Sequence, residues 1–390
     1  MPLCTAPDLA LLPMSINLEP TRLREQEKRL HRLFPTLKNI SCNATPLACA
    51  PMDAISKIIA DAWQRAYGNR IRIVYTPEFL RYCLGCDTSR GLAISAYAGD
   101  QLQGVILGLP LEIHYHQEKV SSVLTTGLCV TESWEHSGLV ELLMVKYSLA
   151  LHDMGIQCSF HWRAAKTMST CDAGRRLAQA ASIRLYARAL HIRRTGIHGK
   201  LSLWEQTGLF ALNVTYRIRC RFSLLPKNYQ FKTFAQKDGE VCAAFLNNLE
   251  KEHVMSLCIT PEQLAWNCAY SEGNIRAAGW VLSQAGAACA IAWGYKNPVA
   301  NNDAYFSMDR VAFSPALDLA VKRAFMAQVE NAIRNQLDCF AILMPESSCE
   351  IPPEDLGYQP VKSYYLGASD IGMVPTMNIS DLTGMPLPLR

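Results

Sequence analysis

Charge is scarce in this sequence, and the little there is comes out nearly balanced. Only 18% of the 390 residues are charged, with a formal net charge of +4. No run of Lys or Arg goes beyond two or three residues, so nothing suggests a nucleic-acid partner. No stretch reaches membrane-spanning length without a charge, which speaks against a membrane span. The first residues, MPLCTAPDLALLPMS, lack a basic leading region and contain Asp8 and three prolines, a poor match to a secretion signal. Framework spacing is missing among the 15 cysteines. Cys83-Leu-Gly-Cys86 has no second pair to complete a four-ligand zinc site, so it is expected to be two ordinary thiols at a helix end, with no metal. Scattered, unpaired thiols fit a reducing compartment, and a cytoplasmic protein is expected.

What is present is apolar. Nearly half the residues, 49%, are hydrophobic, which excludes a disordered chain. The length allows two domains, each with its own core. The informative stretch runs from Ser122 to Trp162 and reads as strand, tight turn, helix, strand. Val123–Val130 is an apolar, Thr-rich strand with Gly127 in its interior, where glycine marks a bulge or a closely approaching ligand. Ser137 and Gly138 then open a Leu/Met-rich helix that ends at Gly155. A strand that feeds a helix N-terminus through a Gly-containing turn makes an anion cradle, because amides and helix dipole point the same way. The amides of Ser137, Gly138, Leu139 and Val140 are the candidate cradle.

Around this centre the pattern predicts helices over Thr21–Phe34 and Pro51–Tyr67. A hairpin is expected from Leu92–Ala98 and Gln103–Leu109 about Gly99-Asp100. A basic region holds Arg175, Arg176, Arg184, Arg188 and Arg193, and the segment from Gly199 to Pro226 reads as alternating strand. Past Pro226 the plan recurs: a strand and helix, a hairpin, a central strand at Tyr305–Phe313, a helix from Ser314-Pro315 to Gln336, and a strand at Cys339–Met344. That recurrence predicts a duplicated unit. The expected division is a lead-in and charged helix (1–50), a first unit (51–226) and a second (227–390).

The order of elements is that of the acetyltransferase-type (GNAT-like) acyl-CoA fold, and a closer resemblance is carried by motifs. Asn69, Arg72, Tyr75, Thr76, Pro77, Glu78, Phe79 and Leu80, followed later by Leu128-Cys129-Val130, resemble the matching segments of protein N-myristoyltransferases. The likeness covers roughly residues 62–160 and is weaker around 303–366. It implies an α+β fold of two tandem GNAT-like units, each a twisted mixed sheet flanked by helices. It also implies transfer of an acyl group from a CoA or carrier thioester to an amine of a peptide or small molecule. Acyl-CoA would then be a co-substrate, with no tightly bound cofactor. By the resemblance, the backbone N–H groups of Gly127 and Leu128 form an oxyanion hole, and Cys129 and Val130 lead into the CoA loop. Tyr75 and Phe79 lie on the substrate side, and the terminal carboxylate, here that of Arg390, is the base.

The sequence also departs from the family. The loop reads Glu135-His136-Ser137-Gly138-Leu139-Val140; only Gly138 fits the wider pattern, and Glu135 puts negative charge where pyrophosphate lies. The family's acidic run is replaced by Gln64-Arg65-Ala66-Tyr67-Gly68, which predicts a poor fit for a Lys-bearing peptide. Ala173-Gly174-Arg175-Arg176 stands where the family has Tyr-Trp-His-Arg. His161, at the end of a strand, is a second candidate base, and Asp309 a third. Two other classes stay open: a carrier- or aminoacyl-tRNA-dependent tandem transferase, and a catalytically silent acyl-binding protein.

Overall fold

The computed structural model describes residues 19–67, 75–86, 91–116, 118–164, 180–221, 225–251, 253–299, 303–349 and 351–370. The first half of the chain contributes β1 (Ile40–Pro46), β2 (Leu92–Ala98), β3 (Gln101–Tyr115), β4 (Glu118–Val130), β5 (Cys158–Ala164) and β6 (Ala180–Ala189). The second contributes β7 (Tyr229–Thr233), β8 (Met255–Leu257), β9 (Ser271–Glu272), β10 (Ile275–Gln284), β11 (Ala287–Pro298), β12 (Ala304–Phe313), β13 (Ala341–Pro345) and β14 (Gln359–Asp370). They form one 14-stranded sheet whose main path is β1-β2-β3-β4-β5-β14-β6-β13-β12-β11-β10-β7. Along that path only β4 with β5, and β12 with β13, run parallel.

This order shows how the halves are joined. β14, from the second half, lies between β5 and β6, while β6, from the first half, lies between β14 and β13. Each half therefore completes its sheet with a strand of the other. The sheet runs unbroken from the strands of the first half to those of the second.

The helices cover both faces. In the first half α1 (Pro20–Leu33) is followed by α2 (Met52–Tyr67), α3 (Pro77–Leu84) and α4 (Leu139–Asp153). One core lies under α2 and α3 around Ile59, Phe79, Leu107 and Leu124. Another lies under α1 and α4 around Leu30, Val123, Leu139 and Leu143. The Tyr-Thr-Pro-Glu-Phe-Leu motif is a capped helix start. Phe79 N–H donates to Thr76 Oγ1 at 3.1 Å, Pro77 needs no amide partner, and Glu78 sits in the favourable first turn. Phe79 is fully buried, which stabilises by about 1.5–3 kcal/mol.

The second half clamps α3. Tyr82 OH donates to Asp309 Oδ2 at 3.0 Å, and the Phe79 and Tyr82 rings lie 5.4 and 5.1 Å from Tyr295. Trp266 Nε1 donates to the Tyr82 carbonyl at 3.0 Å.

One expectation is corrected here. The segment read as alternating strand forms a helix, α6 (Leu203–Arg221), and a shorter helix, α5 (Ile192–Gly199), precedes it. Apolar residues recur at Leu203, Phe210, Val214 and Ile218, a helical spacing that local alternation near the end of the segment disguised. The basic region is partly neutralised. Arg184 meets Glu346 at 2.8 Å, buried Arg188 meets Glu330 at 3.6 Å, and Arg194 meets Asp338 at 2.7 Å. Arg175 and Arg176 lie outside the described residues.

The rest of the second half follows the sequence reading, with α7 (Gly239–Glu250), α8 (Pro261–Ala269) and α9 (Leu319–Gln336), the last beginning a turn later than Ser314-Pro315. Among the described residues no helix is long and apolar enough to cross a membrane.

Candidate functional site

The site begins where β4 leaves its neighbours. On one side Cys129 pairs with Val105 and Thr126 with Leu107, so Gly127 and Leu128 face Ile106 alone. This is a bulge of two residues against one, with Gly127 at φ +65°, the left-handed region that glycine enters freely. On the other side the parallel register with β5 runs from Ser122–Cys158 to Thr125–His161 and stops. Gly127 and Leu128 thus have no register partner on either strand. Leu128, at 37% exposure, is the exposed residue of the bulge.

The strand is braced just before it opens. Tyr75 OH and Thr126 Oγ1 are 3.0 Å apart, and Ser56 Oγ donates to the Tyr75 carbonyl. Thr125 Oγ1 lies 2.8 Å from Tyr147 OH and 2.5 Å from Ser159 Oγ. Burial pushes the Tyr147 hydroxyl up from its ordinary pKa. Burial also pushes the Cys129 thiol up to about 12, which keeps it neutral and unsuited to nucleophilic attack. His161 is half-buried on β5, level with Thr125 and two residues short of the bulge.

The chain then turns through Glu132–Trp134 into α4. Ser137 Oγ donates to the Trp134 carbonyl at 2.6 Å and accepts from Leu139 N–H at 3.3 Å. Gly138 is the residue before the helix, at φ +80°. A Cβ there would lie 2.5 Å from Phe34 Cδ2, so a ring at the end of α1 and the backbone both require glycine. The first turn of α4 leaves its amides without intrahelical acceptors, as every helix N-terminus does.

Glu135 is not an unopposed charge. Arg65, in the last turn of α2, pairs with it at 3.3 Å and donates from Nη2 to the Val130 carbonyl at 3.1 Å. The guanidinium therefore ties the end of β4 to the loop. This corrects two expectations at once: the negative charge in the loop is countered, and Arg65 belongs to the loop rather than to an acceptor clamp.

The other half repeats the layout without the opening. On β12, Arg310 pairs with Trp293 and Met308 with Gly294, leaving Asp309 as the bulged residue. The parallel register with β13 stops at Ser307, two residues earlier, as it does before Gly127. Here, however, Val311 bridges to Cys349, and Asp309 is buried against Tyr82. Asp309 is thus a joint between halves and stands apart from the opening on β4.

Gly127, Leu128, Cys129 and Val130 form the end of β4, His161 lies level with Thr125 on β5, and Ser137–Val140 form the turn into α4 and its first residues. The structure places Tyr75 and Phe79 at 3% and 0% exposure, as core side chains rather than as the substrate-facing residues expected. Asn69, Arg72 and Arg390 lie outside the described residues. Phe34 was missed, and so was the role of Arg65 in tying β4 to the loop. Their partners are far away in sequence, and a lone Arg at a helix end carries no local signal.

These elements define a tandem GNAT-like fold, two mixed-sheet units each with a parallel strand pair whose register stops before a bulge. In its particular form it is the fold of N-myristoyltransferase. Saccharomyces cerevisiae N-myristoyltransferase with bound myristoyl-CoA superposes with a TM-score of 0.63 at 11% identity, over 90% of this chain and 85% of that one. A second structure of the yeast enzyme with myristoyl-CoA gives 0.63 and 11%, over 90% of each chain. A GCN5-related N-acetyltransferase from Anabaena variabilis gives 0.50 at 10% identity, over 84% of this chain and 72% of that one. No family model and no curated protein matches the sequence.

Proposed function

We propose that this protein is an N-acyltransferase that moves an acyl group from a CoA or carrier thioester to an amine of a peptide or small molecule. The observation that carries the reading is the paired absence of register partners at Gly127 and Leu128, on the strand that leads into a helix N-terminus with glycine at its N-cap position. The thioester oxygen would sit between the two bulge amides, and the phosphates at the first turn of α4. The amine nitrogen forms a bond to the carbonyl carbon, and its proton passes to a base, for which His161 is the nearest titratable candidate on β5. The carbon–sulfur bond then breaks and the thiolate leaves to be protonated. Held side by side, donor and acceptor react as one assembled pair, which removes much of the entropic barrier.

Myristoyl-CoA, the donor seen in the yeast structures, heads the list of acyl chains to try, followed by shorter ones. The twelve cysteines seen as free among the described residues suit a cytoplasmic setting. The test is to incubate the protein with acyl-CoAs of graded length and N-terminal glycine peptides or free amines, and to read products by mass. One acylated amine with release of CoA is the expected result. No product and no acyl-CoA binding by calorimetry would overturn the reading.

The Arg65–Glu135 pair gives a charge-sensitive check. Both side chains are about a third or more exposed, so the pair contributes little to stability. Glu135→Gln removes one negative charge beside the proposed phosphate position and releases Arg65 toward it. Donor affinity is expected to rise about fivefold at low salt and less at high salt, measured by titration calorimetry. Unchanged affinity at low salt would put the phosphates elsewhere.

A further inference from the structure

Helix α6 leaves a stripe of large apolar side chains exposed and tucks two polar ones inward. Its inward side carries polar groups: Asn213 Nδ2 donates to the Ala189 carbonyl at 3.1 Å, and Gln206 Nε2 to the Leu201 carbonyl at 3.1 Å. Its outward side is apolar. Trp204 is 85% exposed and Leu203 78%, and Phe210, Val214 and Ile218 continue the same stripe along the helix. Ile197 of α5, 71% exposed, extends it. A surface helix ordinarily does the reverse, and an exposed apolar stripe of this length marks a contact surface.

The charges around the stripe say what it contacts. Arg193 and Lys200 are exposed at its head, and the last five residues of α6 hold Arg217, Arg219 and Arg221. The one carboxylate of the helix, Glu205, is folded back on its own start, accepting from Ser202 N–H and Ser202 Oγ at 2.7 Å each. The surface is therefore an apolar stripe with two exposed cations beside its head. It is convex, a single helix of 19 residues about 28 Å long, with a tryptophan at one end. We propose that the outward face of α6, with Ile197, docks flat on an anionic phospholipid bilayer. The aliphatic and aromatic side chains enter the headgroup boundary, and the cations meet lipid phosphates.

The experiment uses the full chain with vesicles of phosphatidylcholine alone and of phosphatidylcholine with phosphatidylserine. Co-sedimentation with the serine-containing vesicles is expected to exceed that with neutral ones by roughly tenfold or more, and to fall as salt rises. Tryptophan emission should shift to the blue on binding, and Trp204→Phe should remove most of that shift. Leu203→Glu together with Phe210→Glu should abolish sedimentation while leaving the thermal melt unchanged, since both positions are exposed. Should that pair fail to fold, the Trp204 emission shift still decides the question. Equal binding to both vesicle types would overturn the cationic part of the proposal. A stable dimer that buries Trp204 and ignores vesicles would overturn it in favour of a second copy. A monomer that ignores vesicles would overturn it outright.

Discussion

Gly127→Ala is expected to lower turnover by roughly a hundredfold to a thousandfold while leaving donor affinity within about threefold. Two constraints act at this position. The backbone sits at φ +65°, where a side chain is strained, and the new Cβ would lie 3.0 Å from Ile59 Cδ1 and 3.1 Å from Leu107 Cδ1. Neither neighbour is free to withdraw, because both are fully buried in the core under α2. The chain would relax by moving the Gly127 and Leu128 peptide units, the two groups proposed to hold the oxyanion. A donor displaced by even a fraction of an ångström no longer matches the developing charge, whereas phosphate contacts at the first turn of α4 lie outside the bulge. Turnover and affinity should thus part company. The strain would also take about 1–3 kcal/mol from stability, visible as a modest fall in Tm. Measuring kcat beside calorimetric donor affinity decides the matter: an alanine variant with wild-type turnover would mean that the bulge amides do not touch the thioester.

The second large effect concerns folding alone. Gly294→Ala is expected to cost about 3–5 kcal/mol and to lower Tm by about 10 °C or more, or to yield insoluble protein. Gly294 lies on β11 beside the Asp309 bulge, where β12 crowds against it. An added Cβ would fall on the Ser307 carbonyl oxygen, with Phe306 Cε1 at 2.8 Å. Backbone in a central strand has nowhere to go, so the register of β11 with β12 would have to give. Thermal melts of the two proteins test this. A shift of less than about 3 °C would show that the sheet yields more easily than its burial implies.

Much of this architecture can be read from local pattern. Alternation and turn residues mark β2 and β3 about Gly99-Asp100. A Thr-Pro-Glu cap marks α3, and a glycine in an apolar strand marks the bulge on β4. Each of these is decided by neighbours a few residues away. What stayed hidden depends on distant partners. That β14 inserts between β5 and β6 is not written in either strand, because antiparallel pairing leaves no mark on sequence beyond burial. Arg65 reads as an ordinary helix-end cation until β4 brings Glu135 to it across seventy residues. The helix α6 misled for another reason. Its last residues, Thr215 to Arg221, alternate polar and apolar as a half-buried strand does, and only the longer repeat from Leu203 shows the helical period.

The traded strands also set a timetable for synthesis. β5 leaves the ribosome long before Gln359–Asp370, the strand that covers its edge, has been made. At about 5–20 residues per second the wait is on the order of ten seconds or more. Through that interval the nascent chain carries a bare, apolar sheet edge, the kind of surface that recruits holding chaperones or neighbouring chains. Completion of the first half is thereby tied to translation of β14, so that a chain terminated before Gln359 has no finished first half to leave behind.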